Sequence, residues 1–110
     1  MKKFIILIPV YNDWDSLKKL LEEIHSHLLK FNNTIFKFVI INDASSTPSP
    51  ILKVPPKISS IEIINMKKNQ GHARCIAFGI KHLSQQNNFD HLILMDGDGE
   101  DRPEEIKLLI

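Results

Sequence analysis

Seven apolar residues in succession, Phe4–Val10, with isoleucine and valine prominent, restrict the fold of this chain more than any other feature. A half-solvated strand or a surface helix would interleave polar residues. A short unbroken run, closed by Pro9 and Tyr11-Asn12-Asp13, suits a strand buried on both faces. Ile35–Ile41 is a second apolar strand that stops at Asn42-Asp43, and Ile58–Ile64 and Leu92–Met95 predict two more, the last ending at Asp96. Between the first two, Leu17, Leu20, Leu21, Ile24, Leu28 and Phe31 recur at steps of three and four, which is one face of a helix. Asn12, Asp13 or Asp15 can cap its start. A second helix is predicted from Gly71 to about Leu83, with Ile76, Ile80 and Leu83 on one side. Pro103 suits the first turn of a last helix, where Glu104 and Glu105 complement the dipole.

Strands alternating with helices define an α/β fold: a mostly parallel sheet in three α/β/α layers. Residues 43–57 break the alternation. They hold four of the six prolines (Pro48, Pro50, Pro55, Pro56) and read as a loop. The 110 residues amount to one domain or a piece of a larger one. The apolar helical pattern Lys107-Leu108-Leu109-Ile110 reaches the last residue without a cap, so the expectation is a truncated or split protein.

Composition excludes several classes. The net charge of +1 leaves no basic field to hold nucleic acid. Cys75 is the single cysteine, which rules out an intramolecular disulfide framework. The Phe4–Val10 run falls far short of the roughly 20 residues of a membrane span. Lys2 and Lys3 before the run resemble a signal-peptide start, but Pro9, Asn12, Asp13 and Asp15 follow at once with no small-residue cleavage site, so the reading is the first strand of a cytoplasmic protein.

Ligands of open parallel sheets bind beyond the carboxyl ends of the strands. Polar segments follow three of the predicted strands: Tyr11-Asn12-Asp13, Asn42-Asp43-Ala44-Ser45, and Asp96-Gly97-Asp98-Gly99-Glu100-Asp101. In the last, neighbouring carboxylates repel unless a cation or protons intervene, and hard divalent ions take such oxygens. The competing reading is a solvated acidic turn that caps a helix. None of Gly71, Gly79, Gly97 and Gly99 follows the first strand, which removes the dinucleotide fingerprint and the Walker loop. Counting from Asp96, Asp101 and Lys107 fall on the glycine and glutamate positions of an EF-hand, which removes that too.

Ile8-Pro9-Val10-Tyr11-Asn12, Asn42-Asp43-Ala44-Ser45-Ser46, Asn69-Gln70-Gly71-His72 with Gly79 beyond, and Met95-Asp96-Gly97-Asp98-Gly99-Glu100-Asp101-Arg102-Pro103-Glu104 resemble, in this order, the motifs of family-2 glycosyltransferases. These enzymes have the GT-A fold, a Rossmann-like nucleotide-sugar-binding sheet. The likeness is greatest to the polyprenyl- or dolichol-phosphate sugar synthase group and spans residues 4 to 110. The resemblance implies metal-dependent, inverting transfer of a sugar from a UDP- or GDP-linked donor. It implies that Pro9, Tyr11 and Asp13 line the base and ribose, that Asp43 accepts a hydrogen bond from the base, and that Asp96 lies near the ribose or metal. Asp98 would ligate Mg2+ or Mn2+, with Glu100 as a further ligand. A lipid phosphate is the acceptor implied by the resemblance alone, with work at the cytoplasmic face of a membrane.

The chain departs from the pattern. Asn42 stands where the family has the first Asp of a pair, a position expected to be mainly structural, and residues 47–57 are Pro-rich where a helix is usual. These 110 residues correspond to the donor-binding N-terminal part; the acceptor side, the usual catalytic carboxylate and a closing loop belong to a second half. A second polypeptide could complete the fold, and the alternative function is a non-catalytic nucleotide-binding remnant or split-protein subunit. A third reading, the nucleophile loop of haloacid-dehalogenase-like phosphatases at Asp96-Gly97-Asp98, meets Glu100 where Thr or Val belongs. Arg74 reads as an exposed helical residue, Cys75 as a small core residue, and Trp14 as packing rather than stacking on a base. His72 is placed either at the helix start or facing the donor.

Overall fold

The computed structural model describes residues 2–56, 58–86 and 88–95. Its elements are β1 (Lys2–Val10), α1 (Trp14–Leu28), β2 (Thr34–Asn42), β3 (Ile58–Asn65), α2 (His72–Gln86) and β4 (His91–Leu94). The four strands form one sheet in the order β3-β2-β1-β4, with every pairing parallel. The chain therefore moves outward from β1 to β2 and β3, then returns through α2 to place β4 on the far flank of β1. The predicted last helix around Pro103, Glu104 and Glu105 lies outside the described residues.

The unbroken apolar run has the expected cause. Phe4 through Val10 are all buried. Phe4, Ile6, Ile8 and Val10 point into one core cluster, and Ile5 and Leu7 into another on the opposite face. The first cluster is closed by α1 through Trp14, Leu17, Leu20, Leu21, Ile24 and Leu28, the stripe legible in the sequence. Aromatic stacking of Phe4 on Phe36, with ring centroids 5.3 Å apart, fills its lower end. The second is closed by α2. Helix, sheet and helix make the three layers.

Helix α2 corrects one expectation. Its buried row is Cys75, Gly79 and Leu83, while Ile80 is exposed and Ile76 only half-buried. The reason is close approach: a Cβ on Gly79 would lie 2.7 Å from both Leu7 methyl carbons. The glycine lets the helix axis settle onto β1, and the contact row rotates to the small residues 75 and 79 at helical spacing.

The Pro-rich stretch carries β2 to β3 with no helix among its described residues. Leu52 packs against the α1-side cluster, so this connection crosses the same face as α1. A parallel pairing needs such a crossover, usually a helix. Four prolines preclude regular helix here, and an extended path serves instead.

Candidate functional site

The carboxyl ends of β1, β2 and β3 lie level: Val10 pairs with Asn42, and Asn42 with Asn65. Among the described residues the last β1–β4 pair comes earlier, at Leu7 and Leu94, followed by a bond from the Met95 N–H to the Leu7 carbonyl. Backbone groups of alternate residues face alternate neighbours. Leu7 faces β4 and Val10, whose carbonyl accepts from the Asp43 N–H, faces β2. Pro9 therefore faces β4, one step beyond the last pairing among the described residues, and offers it no N–H. Strand order reverses around β1, and the crevice at such a reversal is where doubly wound sheets bind ligands.

Two turns shape this rim. After β1, Asn12 adopts a left-handed conformation (φ 61°), and after β2, Ala44 does the same (φ 57°). The Asn12 N–H donates to Ser45 Oγ at 2.8 Å. Its side-chain Oδ1 accepts from the Thr47 N–H and Thr47 Oγ1, each at 3.1 Å, and from Ser46 Oγ at 3.2 Å. Trp14 is buried and donates its indole N–H to the Thr47 carbonyl at 3.2 Å, in keeping with a packing role. Asp13 precedes α1, and its carbonyl accepts from the Leu17 N–H.

Among the described residues Asp43 is the buried charge of the rim, with 0% of its surface exposed. Its Oδ1 accepts from the Gln70 N–H at 2.7 Å and its Oδ2 from the Gly71 N–H at 2.8 Å. Its carbonyl accepts from Asn69 Nδ2. Gly71 (φ 90°) starts α2, its carbonyl receiving the Cys75 N–H, so Asp43 satisfies backbone donors at that helix start from a different element. Burial pushes the Asp43 carboxyl up, but the Gln70 and Gly71 N–H groups, the Cys75 thiol and the nearby His72 ring outweigh it, and the net position is below the usual carboxylate range. The Cys75 thiol is pushed up to about 12, by burial first and then by the hydrogen bond to Asp43 and its charge.

Of the residues the sequence singled out, Pro9 is buried within β1, Tyr11 is exposed and Asp13 half-buried at the rim. Asp43 stands at the same rim, but both of its oxygens are engaged inside the chain. Asn42 is structural as expected: its Nδ2 donates to Asn65 Oδ1, its Oδ1 accepts from the Ser45 N–H, and its carbonyl accepts from the Met66 N–H. An Asp there could not donate to Asn65. Asp96, Asp98 and Glu100 lie outside the described residues, and among the described residues no cluster of three His, Cys, Asp or Glu could hold a metal. Arg74 and His72 are exposed on the first turn of α2. Sequence reasoning missed the pairing of Cys75 with Asp43 and the part played by Asn12. Asn is the residue type that best tolerates positive φ after glycine, and the Ser-Ser-Thr run beyond Ala44 supplied the donors.

A four-stranded parallel sheet between helices, with polar turns gathered at its carboxyl rim, is a Rossmann-like α/β arrangement. The glycosyl transferase family 2 model matches residues 5–110, and the chain belongs to this family. It is similar to a dolichyl-phosphate beta-glucosyltransferase of Trichomonas vaginalis, 32% identical over 94% of this chain and 32% of the relative. It is also similar to undecaprenyl-phosphate 4-deoxy-4-formamido-L-arabinose transferases of Salmonella choleraesuis and Klebsiella pneumoniae, 31% and 28% identical over the whole chain and 33% of each relative. The chain thus spans about a third of the length of these relatives. No helix among the described residues is long and apolar enough to cross a membrane.

Proposed function

We propose that this chain forms the nucleotide-sugar donor site of a glycosyl transfer. The observation that carries the reading is the reversal of strand order at β1, with the Tyr11–Asp13 turn at its carboxyl end, in a chain matched by the family model over residues 5–110. Tyr11 and Asp13 line the base and ribose, beside the closed end of β1 at Pro9. Asp43 acts at this site through the Gln70–Gly71 turn that it holds. Asp96, Asp98 and Glu100 supply a hard-oxygen donor set fitted to Mg2+ or Mn2+. Such an ion, when bound, stabilises the charge developing on a diphosphate leaving group. Transfer proceeds with inversion, by attack of the acceptor on the face of the anomeric carbon opposite the leaving group. The relatives' names carry dolichyl and undecaprenyl phosphate, which supports a lipid phosphate as acceptor.

Calorimetric titration with UDP and GDP, with and without Mg2+ or Mn2+, tests this reading. Metal-dependent binding of one nucleotide, weakened at least tenfold by Asp98→Ala, is the expected result. A folded chain that binds neither nucleotide sinks it.

A further inference from the structure

We propose that Asn12 is a positioning residue of the donor site: it fastens the turn carrying Tyr11 and Asp13 to the loop after β2. The inference rests on the donor-site reading above. Tyr11 and Asp13 flank Asn12 in a turn only as long as the gap between Val10 and Trp14. Among the described residues neither the Tyr11 hydroxyl nor the Asp13 carboxylate has a hydrogen-bond partner, so no side-chain hydrogen bond of their own fixes where they stand. Asn12 does this for them. Its N–H is tied to Ser45 Oγ, and its Oδ1 receives the Thr47 N–H together with the Ser46 and Thr47 hydroxyls.

The geometry selects the residue. An amide oxygen offers two lone pairs, so the fixed Thr47 N–H takes one and the two rotatable hydroxyls share the other. The left-handed backbone at φ 61° turns the side chain across to the β2 loop, a conformation open to Asn and Gly and unfavourable to most residues. Gly keeps the turn and loses the acceptor. Asp keeps both, since a carboxylate oxygen accepts from the same donors. The Trp14 indole bond to the Thr47 carbonyl joins the same two segments and keeps them near each other when Asn12 is changed. Removal of the acceptor therefore loosens the rim without detaching it.

The test compares Asn12→Gly and Asn12→Asp with the unchanged 110-residue chain, each shown to be folded by circular dichroism. In Asn12→Gly the Thr47 amide is expected to exchange roughly tenfold faster by NMR. The metal-dependent affinity for UDP or GDP is expected to fall roughly fivefold. In Asn12→Asp the Thr47 amide regains its protection. Unchanged Thr47 exchange in Asn12→Gly overturns the fastening, and faster exchange with unaltered nucleotide affinity overturns its positioning role. If the unchanged chain binds neither nucleotide, the donor-site reading fails and this role falls with it; binding by the unchanged chain and by Asn12→Gly alike refutes the positioning role alone.

Discussion

The carboxylate of Asp43 and the amide oxygen of Asn12 each gather several donors from another segment, yet one is sealed in the protein and the other faces water. Asp43 receives two backbone N–H groups from the start of α2, and Asn12 receives one backbone N–H and two hydroxyls from the loop after β2. In the first junction the acceptor is charged and buried and the donors are fixed backbone groups, so each bond is strong and its loss leaves a buried group unpaired. In the second the acceptor is neutral and exposed, and water replaces any lost partner. The buried junction sets the architecture, holding β2 to α2. The exposed one adjusts the turn that bears Tyr11 and Asp13.

The sharpest way to break this contrast is Asp43→Asn. An amide can accept from one of the two N–H groups but turns a donor toward the other, so the substitution is expected to cost about 3 kcal/mol in urea unfolding. A loss no greater than that of Asn12→Gly would remove the distinction between the junctions. Acid gives the same contrast without mutation. The folded Asp43 carboxyl titrates below its unfolded value, so its contribution is complete above the unfolded value of about 3.9 and is lost as pH falls through the folded one. The stability gap between the unchanged chain and Asp43→Asn should be constant from pH 6 to 8 and narrow below about pH 4. A gap that holds steady into acid contradicts the assignment.

Cys75 reports on the buried junction chemically. With its thiol pushed up to about 12, the reactive thiolate at pH 8 is on the order of one part in ten thousand. Iodoacetamide should leave the native chain unlabelled over hours and label it within minutes in urea. Asp43→Asn, which removes the charge raising the thiol, should label measurably faster than the unchanged chain while still folded. Equal native rates would show that burial alone protects the sulfur.

The exposed junction should yield less. Asn12→Gly keeps the backbone conformation and loses bonds that water replaces, so about 1 kcal/mol is expected from the same urea measurement. A loss near that of Asp43→Asn would mean the rim loop carries structural weight that its exposure denies.

Much of this was legible in the residues themselves. The unbroken Phe4–Val10 run announced a strand with two covered faces, because only double burial tolerates apolar residues at both parities. The α1 stripe was equally plain, since its buried side chains are large. Helix α2 was misjudged in register because Gly79 and Cys75 carry little hydrophobic signal, and what buries them is the proximity of Leu7. At the rim, the positions of Asp43, Tyr11 and Asp13 at the strand ends follow from residue type and place after apolar runs. That Asp43 would turn inward to the Gln70 and Gly71 backbone is a consequence of tertiary approach across 27 and 28 residues, and no local pattern encodes it.

Ala44 joins the two junctions, and it gives the smallest expected effect. It separates Asp43, which must face α2, from Ser45, whose hydroxyl must reach the Asn12 N–H, and it does so at φ 57°. A left-handed conformation costs an L-residue with a Cβ roughly 1–2 kcal/mol, and glycine escapes that cost. Glycine also gives the unfolded chain more freedom, worth about 0.4–1 kcal/mol in the opposite direction. Ala44→Gly should therefore raise stability by about 0.5 kcal/mol, a small rise in the urea midpoint with an unchanged slope. If both junctions depend on this turn, the Thr47 amide and the Gly71 amide should gain protection together. Gain at one alone would show that the two are held independently, and a fall in stability would show that the left-handed turn at residue 44 carries no strain to relieve.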